Sequence, residues 1–205
     1  MTEQPPRFDL TWLVVIIALL AYIIPWALNP GVSLSLSAYD FAEFLAKRPF
    51  DDTSYYTILA LRGQLLLITA LLAFSTHRPY FTKHWWMRCI ACGILIIAQL
   101  PPLTFISNTG DVNQQQQMLL TIGSLIVVAI GLSGIFWKNR HLIRIVIGIA
   151  GVITVIYSLN NAPDMMAGYG LPANIGFGGV ALIFIYILIV IGNFLAISLK
   201  QTEPR

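Results

Sequence analysis

The sequence predicts an all-α membrane protein with six transmembrane helices and both termini in the cytoplasm. Three observations support this: the composition, apolar segments of membrane-spanning length, and an uneven distribution of Lys and Arg. Hydrophobic residues make up 57% of the 205 residues and charged residues only 10%. These polar groups are too few to cover a water-facing surface. We therefore expect lipid to solvate most of the chain.

Six segments are apolar and long enough to cross a bilayer, which takes about 20 helical residues. They contain no charged residue except Arg62, within the second, and Arg88 and Arg144, near the starts of the third and fifth. Because hydrocarbon offers no hydrogen-bond partners, each segment is expected to be helical. The first segment could be a secretory signal peptide, but its flank carries no excess of positive charge and no small-residue cleavage site follows, which favours a retained helix. The predicted spans, within one domain, are 11–28, 57–75, 88–106, 117–137, 142–159 and 175–197.

The distribution of positive charge predicts the orientation, because short cytoplasmic loops carry an excess of Lys and Arg. Of the twelve Lys and Arg in the chain, only Lys47, Arg48 and Arg62 fall on one side of the predicted topology. The other side is therefore predicted to be cytoplasmic. It holds Arg7, Arg78, Lys83, Arg88, Lys138, Arg140, Arg144, Lys200 and Arg205. The net charge of +3 reflects this topology and is not evidence for nucleic-acid binding.

The connection of residues 29–56 is the longest outer loop and is predicted to contain an amphipathic helix at 38–47. Ser37 followed by Asp40 resembles a capping box, and Pro49 would end the helix. Ala38, Phe41 and Leu45 share one helical face. We expect this helix to lie on the outer membrane surface or on a partner protein. The other two outer loops, 107–116 and 160–174, are predicted to be polar turns.

The main candidate site surrounds Arg62, which lies about five residues, or roughly 7.5 Å, inside the second span. A charged residue at that depth is costly and often functional. Arg62 could contact a ligand, a quinone or a partner protein, with Gln64 as the next polar group inward. Alternatively, it could extend to the outer headgroups or pair with a carboxylate of the outer loop, Asp40 or Glu43.

The remaining candidate residues are expected to pack within the fold and not to take part in chemistry. Cys89 and Cys92 have no further Cys with which to complete a metal site, so no metal is predicted. The three His residues fall at the inner ends of the predicted helices and are expected to anchor the fold. Four deep, uncharged polar residues are expected to form hydrogen bonds between helices: Gln99, Ser124, Thr154 and Asn193.

One stretch resembles a known group of proteins. Ser37-Ala38-Tyr39-Asp40-Phe41-Ala42-Glu43-Phe44, followed by Pro49, is similar to a Tyr-Asp-x-Ala-Glu-aromatic stretch in uncharacterised multi-pass membrane proteins of green non-sulphur bacteria, with Phe44 where Trp is expected. The resemblance covers eight residues. It implies a bacterial inner (plasma) membrane setting, and it implies no activity or cofactor.

Two functional hypotheses follow. The first is an accessory or structural subunit of a larger membrane complex, for example a bioenergetic one, whose partners are membrane lipids and other membrane subunits. It is motivated by helix faces that carry small residues and by the lack of catalytic motifs in the sequence. The second is a small transporter or a lipid- or quinone-binding protein with its site at the outer mouth near Arg62. A membrane enzyme is the least favoured class, and the sequence identifies no cofactor.

Overall fold

The computed structural model describes residues 10–29, 31, 33–47, 52–75, 81–103 and 110–202. These residues form seven α-helices and three short strands, and a short 3₁₀ turn (Trp137–Asn139) precedes α6. The elements are α1 (Leu10–Ile23), β1 (Ala27–Asn29), β2 (Leu34–Leu36), α2 (Ala38–Leu45), α3 (Asp52–Ala73), α4 (Lys83–Ile97), α5 (Val112–Leu132), α6 (Arg140–Gly168), β3 (Asn174–Ile175) and α7 (Phe177–Thr202).

Four helical segments are long and apolar enough to cross a membrane: Asp52–Ala73, Val112–Leu132, Trp137–Gly168 and Phe177–Leu199. Helix α1 is equally apolar but shorter. The protein is therefore an all-α protein of the multi-pass membrane class, as the composition predicts.

Helix α3 is the centre of the bundle. It contacts α1, α2, α4, α5 and α6. In its most apolar segment 67% of the residues are buried, against 33%, 33% and 28% in the other three long helices. Arg62, the charged residue that lies several residues inside a predicted span, is therefore on the most enclosed helix.

A three-stranded antiparallel sheet, in the order β2-β1-β3, was not anticipated from the sequence. It exists because α1 ends at Ile23 although the predicted span runs to residue 28. Pro25 disfavours helical backbone at the preceding residue, and the chain continues extended. The Trp26 N–H donates to the Leu36 carbonyl at 2.7 Å. Trp26 is 1% exposed, so this non-helical backbone is covered by protein.

The start of α7 packs closely against the end of α1. A Cβ atom added to Gly178 would lie 2.4 Å from the Ile24 carbonyl oxygen, and one added to Gly176 would lie 2.2 Å from that of Pro25. Only glycine permits this approach. We call the end of the bundle that contains β1, β2, β3 and α2 the sheet end.

Two predicted spans are displaced in the structure. Helix α4 occupies Lys83–Ile97 rather than 88–106, and residues 104–106 lie outside the described residues. Helix α5 begins at Val112, not at residue 117, because the Asp111 side chain accepts a hydrogen bond from the Asn113 N–H and caps it. The predicted turn at 107–116 is thus wrong from residue 112 onward, and residues 107–109 are not described.

The predicted loop at 160–174 is also wrong in its first half. Helix α6 continues through Pro163 to Gly168, far beyond the predicted end at residue 159. Ala162 and Met166 flank the proline and are both 0% exposed. Their packing offsets the hydrogen bond that the proline cannot donate. The remaining predicted spans, 57–75, 142–159 and 175–197, correspond to α3, α6 and α7.

Helix α2 occupies Ala38–Leu45 of the predicted 38–47 segment. Ser37 caps it, accepting a hydrogen bond from the Asp40 N–H at 3.2 Å. We expected its apolar face to lie on the outer membrane surface or on a partner protein, but this face packs inside the bundle. Phe41 and Leu45 are each 1% exposed, and α2 packs on α1, α3 and α6.

Candidate functional site

Arg62 is the eleventh of the 22 residues of α3, lies near the middle of that helix, and is 4% exposed. Its Nη2 atom donates to Glu43 Oε1 at 2.6 Å. Its Nη1 atom donates to Gln116 Oε1 at 3.0 Å and lies 3.5 Å from the Asn113 carbonyl. The guanidinium therefore connects three helices, α2, α3 and α5.

The partners of Arg62 are themselves held by further hydrogen bonds. Gln117 Nε2 donates to Glu43 Oε1 at 2.7 Å, and Gln116 Nε2 donates to the Tyr55 carbonyl at 2.9 Å. These contacts offset part of the cost of removing the ion pair from water, although the Arg62 Nε atom has no hydrogen-bond partner among the described residues. We call Glu43, Arg62, Gln116 and Gln117 the Arg62 cluster.

The structure brings together two of the four predicted site residues. Arg62 pairs with Glu43, which is one of the alternatives left open by the sequence, and it does not extend past its neighbours to solvent. Asp40 is exposed and accepts from Ser37 Oγ at 2.7 Å. Gln64 belongs to a separate contact deeper in the bundle, where its Oε1 accepts from Tyr186 and its Nε2 donates to Thr154.

A small cavity adjoins the Arg62 cluster. Its lining includes Tyr22, Tyr39, Arg62 and Gln117, and its volume is about 20 Å³. That is room for about one water molecule, far below the several hundred Å³ of a typical ligand site. In this conformation, therefore, the site accommodates a water molecule and not an organic headgroup.

Tyr39 lies on α2 beside this cavity. Partial burial raises the pKa of its phenol above the ordinary value, because burial disfavours the phenolate. The negative charge of Glu43, to which Tyr39 is hydrogen-bonded, raises that pKa further. Tyr39 therefore stays neutral as a hydrogen-bond donor at neutral pH.

A second polar cluster lies at the C-terminal end of α3, which we call the basic end. Arg88 of α4 is 4% exposed and donates from Nη1 to the Ser75 carbonyl at 2.5 Å. Arg144 of α6 donates from Nη2 to Ser75 Oγ and, at 3.1 Å, to Thr11 Oγ1. The sequence placed both arginines among the positive charges of the cytoplasmic side and did not predict that they converge on Ser75.

The deep polar residues form hydrogen bonds between segments, as the sequence predicts. Ser124 Oγ donates to Gln99 Oε1 at 2.8 Å. Gln64 Nε2 donates to Thr154 Oγ1 at 2.9 Å. His141 Nδ1 and Asn193 Oδ1 are 2.9 Å apart. These contacts tie α4 to α5, α3 to α6, and α6 to α7.

Cysteine and histidine do not form a metal site in the described part of the chain. Cys89 and Cys92 are free thiols, and Cys92 is buried. Among the described residues, no group of three or more His, Cys, Asp or Glu side chains could hold a metal ion.

Gln116 and Gln117 were the functional residues that the sequence reasoning missed. Gln116 was assigned to the outer loop and Gln117 to the first position of the fifth predicted helix segment counted with the outer helix, that is the span 117–137, because the run of glutamines follows turn-forming residues. One signal could have placed them in a helix: Gln117, Thr121 and Ser124 recur at helical spacing, and all three are buried.

The fold and the two polar clusters define a helical multi-pass membrane protein with one buried charged group near the middle of its central helix and others at the basic end. Compared with protein families, with curated proteins and with solved structures, the chain matches none.

Proposed function

We propose that this chain crosses a bacterial plasma membrane six times, with both termini in the cytoplasm, and serves as an accessory or structural subunit of a larger membrane complex. The arrangement of α4 supports six crossings. Arg88, near its start, bonds to Ser75 just after the end of α3. Gln99, just after its end, bonds to Ser124 of α5. Ser124 is near the middle of α5, and Ala98, Gln99 and Leu100 line the cavity beside the Arg62 cluster. Helix α4 therefore starts at the basic end, runs antiparallel to α3, and leads the chain to the level of Arg62.

Helix α1 supports the remaining crossing. Its 14 residues rise about 21 Å, and the buried extended chain from Pro25 to β1 continues toward the sheet end. The excess of Lys and Arg around the basic end favours placing that end in the cytoplasm. The bacterial setting rests on the resemblance of the Ser37–Phe44 stretch.

The single observation that carries the subunit proposal is the outward face of α4. Trp86, Ile90, Ile94 and Ile97 are 53%, 62%, 61% and 67% exposed. Between them a Cβ atom added to Gly93 would meet nothing within 4 Å. Small residues on an exposed apolar face permit close approach of another transmembrane helix, and α4 offers Cys89 and Gly93 four residues apart.

The length of α4 favours a protein partner over lipid alone at this face. Its 15 residues rise about 22 Å, whereas the hydrocarbon core is about 30 Å thick. A helix shorter than the core thins the bilayer or associates with another helix. A transmembrane helix of a partner subunit packed on this face would relieve the mismatch.

The test is purification of the tagged chain from its native membrane in mild detergent. We expect a partner membrane protein to co-purify. Gly93→Leu should abolish its recovery by blocking close approach, and Ile90→Ala with Ile94→Ala should reduce it.

A matched pair on another helix provides the control. Ile149 and Ile153 of α6 are 47% and 61% exposed, so Ile149→Ala with Ile153→Ala removes similar apolar area from a different face. This control should retain the partner. A native chain that purifies alone, or loss of the partner in the control as well, would contradict the proposal.

The alternative of a transporter or a lipid- or quinone-binding protein using Arg62 has less support. The guanidinium is already bound by Glu43 and Gln116, and the cavity of about 20 Å³ is too small for a headgroup. If Arg62→Leu leaves transport and quinone binding unchanged in reconstituted vesicles, this alternative fails.

A further inference from the structure

We propose that the protein binds one anionic phospholipid between α1 and α7, with an acyl chain in the apolar part of the cavity and the phosphate at Arg144 and His141. The cavity has a volume of about 450 Å³, within the range of about 300–1,000 Å³ of small-molecule sites. It is separate from the Arg62 cluster and opens near the basic end.

The cavity exists because α1 and α7 diverge. At the sheet end the two helices touch, since a Cβ atom added to Gly178 would lie 2.7 Å from the Ala21 carbonyl oxygen. Toward the basic end they separate and form opposite walls. At Gly192 of α7 a Cβ atom would meet nothing within 4 Å. The opening is therefore part of the packing of the two helices.

The shape of the cavity suits a hydrocarbon chain aligned with the helices. Its wall on α7 extends from Ile185 to Ala196, which corresponds to about 16 Å of helix rise. The deeper lining is aliphatic: Val14, Val15, Ile17, Leu71, Ile185, Leu188 and Ile189. An acyl chain would bury this surface without leaving a polar group unsatisfied.

The polar end of the cavity has the chemistry of a phosphate site. Thr11, Ser75, His141, Arg144 and Asn193 all line it. Arg144 is held by the Thr11 and Ser75 hydroxyls, and these two contacts orient the guanidinium at the polar end of the cavity. Arginine binds phosphate oxygens through charge-assisted hydrogen bonds.

Charge complementarity selects an anionic lipid. Arg88 contacts the same Ser75 as Arg144, and Arg140 lies 3.4 Å from His141, so several cationic or ionisable groups surround the mouth. Basic pockets between transmembrane helices on the cytoplasmic side bind anionic headgroups. A zwitterionic lipid offers the same phosphate but brings a cation toward these arginines.

The test is native mass spectrometry of the purified full chain in detergent, titrated with dioleoyl phosphatidylglycerol or with dioleoyl phosphatidylcholine. We expect one phosphatidylglycerol per chain, bound more tightly than phosphatidylcholine. Inorganic phosphate should fail to displace it, because phosphate lacks the acyl chain. Equal binding of both lipids, or full displacement by phosphate, would overturn the proposal.

Two variants locate the site. Arg144→Gln should weaken phosphatidylglycerol binding by about ten- to hundredfold, the range expected on loss of a hydrogen bond to a charged group. Gly192→Leu places a side chain in the open cavity and should weaken the binding of both lipids. Lys138→Gln removes an exposed charge from the same end, and Gly93→Leu adds bulk outside the cavity, so both should bind as the native chain does. Unchanged binding in Gly192→Leu would overturn the assignment.

Discussion

At the scale of single residues, the Arg62–Glu43 pair is the feature most sensitive to substitution. Arg62 is 4% exposed and Glu43 33%, so removing the carboxylate charge leaves a buried guanidinium without its counter-charge. We expect Glu43→Gln to destabilise the protein by about 2 kcal/mol, less than the loss of a fully buried pair because Glu43 is partly exposed. The measurement is thermal unfolding of the purified protein in detergent.

Asp40→Asn is the matched control for Glu43→Gln, because it also neutralises a carboxylate of α2. Asp40 is exposed and contacts only Ser37 among the hydrogen bonds described above, so the loss should be well below 1 kcal/mol. Equal destabilisation by the two substitutions would show that the charge of α2, and not the pair with Arg62, determines its stability.

Tyr39 provides a pH-dependent readout of the same cluster. Its pKa is raised above the ordinary value of 10.0 in the folded protein, so the unfolded state releases the phenol proton first as the pH rises. The contribution of Tyr39 to stability is therefore complete below pH 10 and falls above it. Ultraviolet titration should show that one phenolate forms at a higher pH in the native protein than in the Glu43→Gln variant. A titration unchanged by that substitution would contradict the predicted influence of Glu43.

The residues of the site were only partly predictable from the sequence. A lone charge in an apolar span identifies Arg62, and the nearest carboxylates identify Glu43 as a partner. The sequence could not separate Glu43 from Asp40, since the choice depends on which face of α2 turns toward α3. The convergence of Arg88 and Arg144 could not be predicted, because their partner, Ser75, is distant in the chain and carries no charge.

At the scale of elements, contacts between helices rely on glycine at particular positions. A Cβ atom added to Gly131 of α5 would lie 2.7 Å from the Ala73 Cβ and 2.9 Å from its carbonyl carbon. The backbone of Ala73 cannot move aside as the end of a flexible side chain can. Helices α3 and α5 would therefore have to separate in the variant. We expect Gly131→Ala to destabilise the protein by about 1–3 kcal/mol, as measured by thermal unfolding in detergent.

Gly63→Ala is the control for Gly131→Ala, because Gly63 also lies within a helix but a Cβ atom there would meet nothing within 4 Å. It should be neutral or stabilise the protein by up to about 1 kcal/mol, since alanine favours helix. If Gly131→Ala is as well tolerated as Gly63→Ala, the α3–α5 contact is looser than described.

The sequence predicted which segments form helices better than it predicted the residues at which those helices begin and end. Pro25 and Pro163 both follow apolar helical sequence, yet α1 stops before the first and α6 continues through the second. The difference is tertiary: Trp26 joins a sheet whose other strands lie at residues 34–36 and 174–175, whereas Ala162 and Met166 are enclosed by the bundle. Neither environment can be inferred from the local sequence.

At the scale of the whole molecule, the central helix connects three polar layers. The Arg62 cluster lies at the middle of α3, Gln64 bonds to Thr154 and Tyr186 two residues further along, and Ser75 receives Arg88 and Arg144 at the basic end. One charged layer therefore lies near the midpoint of the helix and the other at its basic end. A charge near the middle of a membrane helix is costly, and the Glu43 carboxylate beside Arg62 offsets part of this cost.

The proposed six-span topology predicts which positions are accessible from each side of the membrane. In a Cys89→Ser, Cys92→Ser background, Gly110→Cys should react with a membrane-impermeant maleimide on intact spheroplasts, whereas Phe81→Cys and Lys138→Cys should react only in inside-out vesicles. All three positions are exposed in the structure, so sidedness alone should decide the labelling. The proposed orientation places the basic end in the cytoplasm, because loops rich in Lys and Arg are retained on that side of the membrane. If α4 did not cross, positions 81 and 110 would be labelled from the same side, and labelling of Lys138→Cys from outside would reverse the orientation.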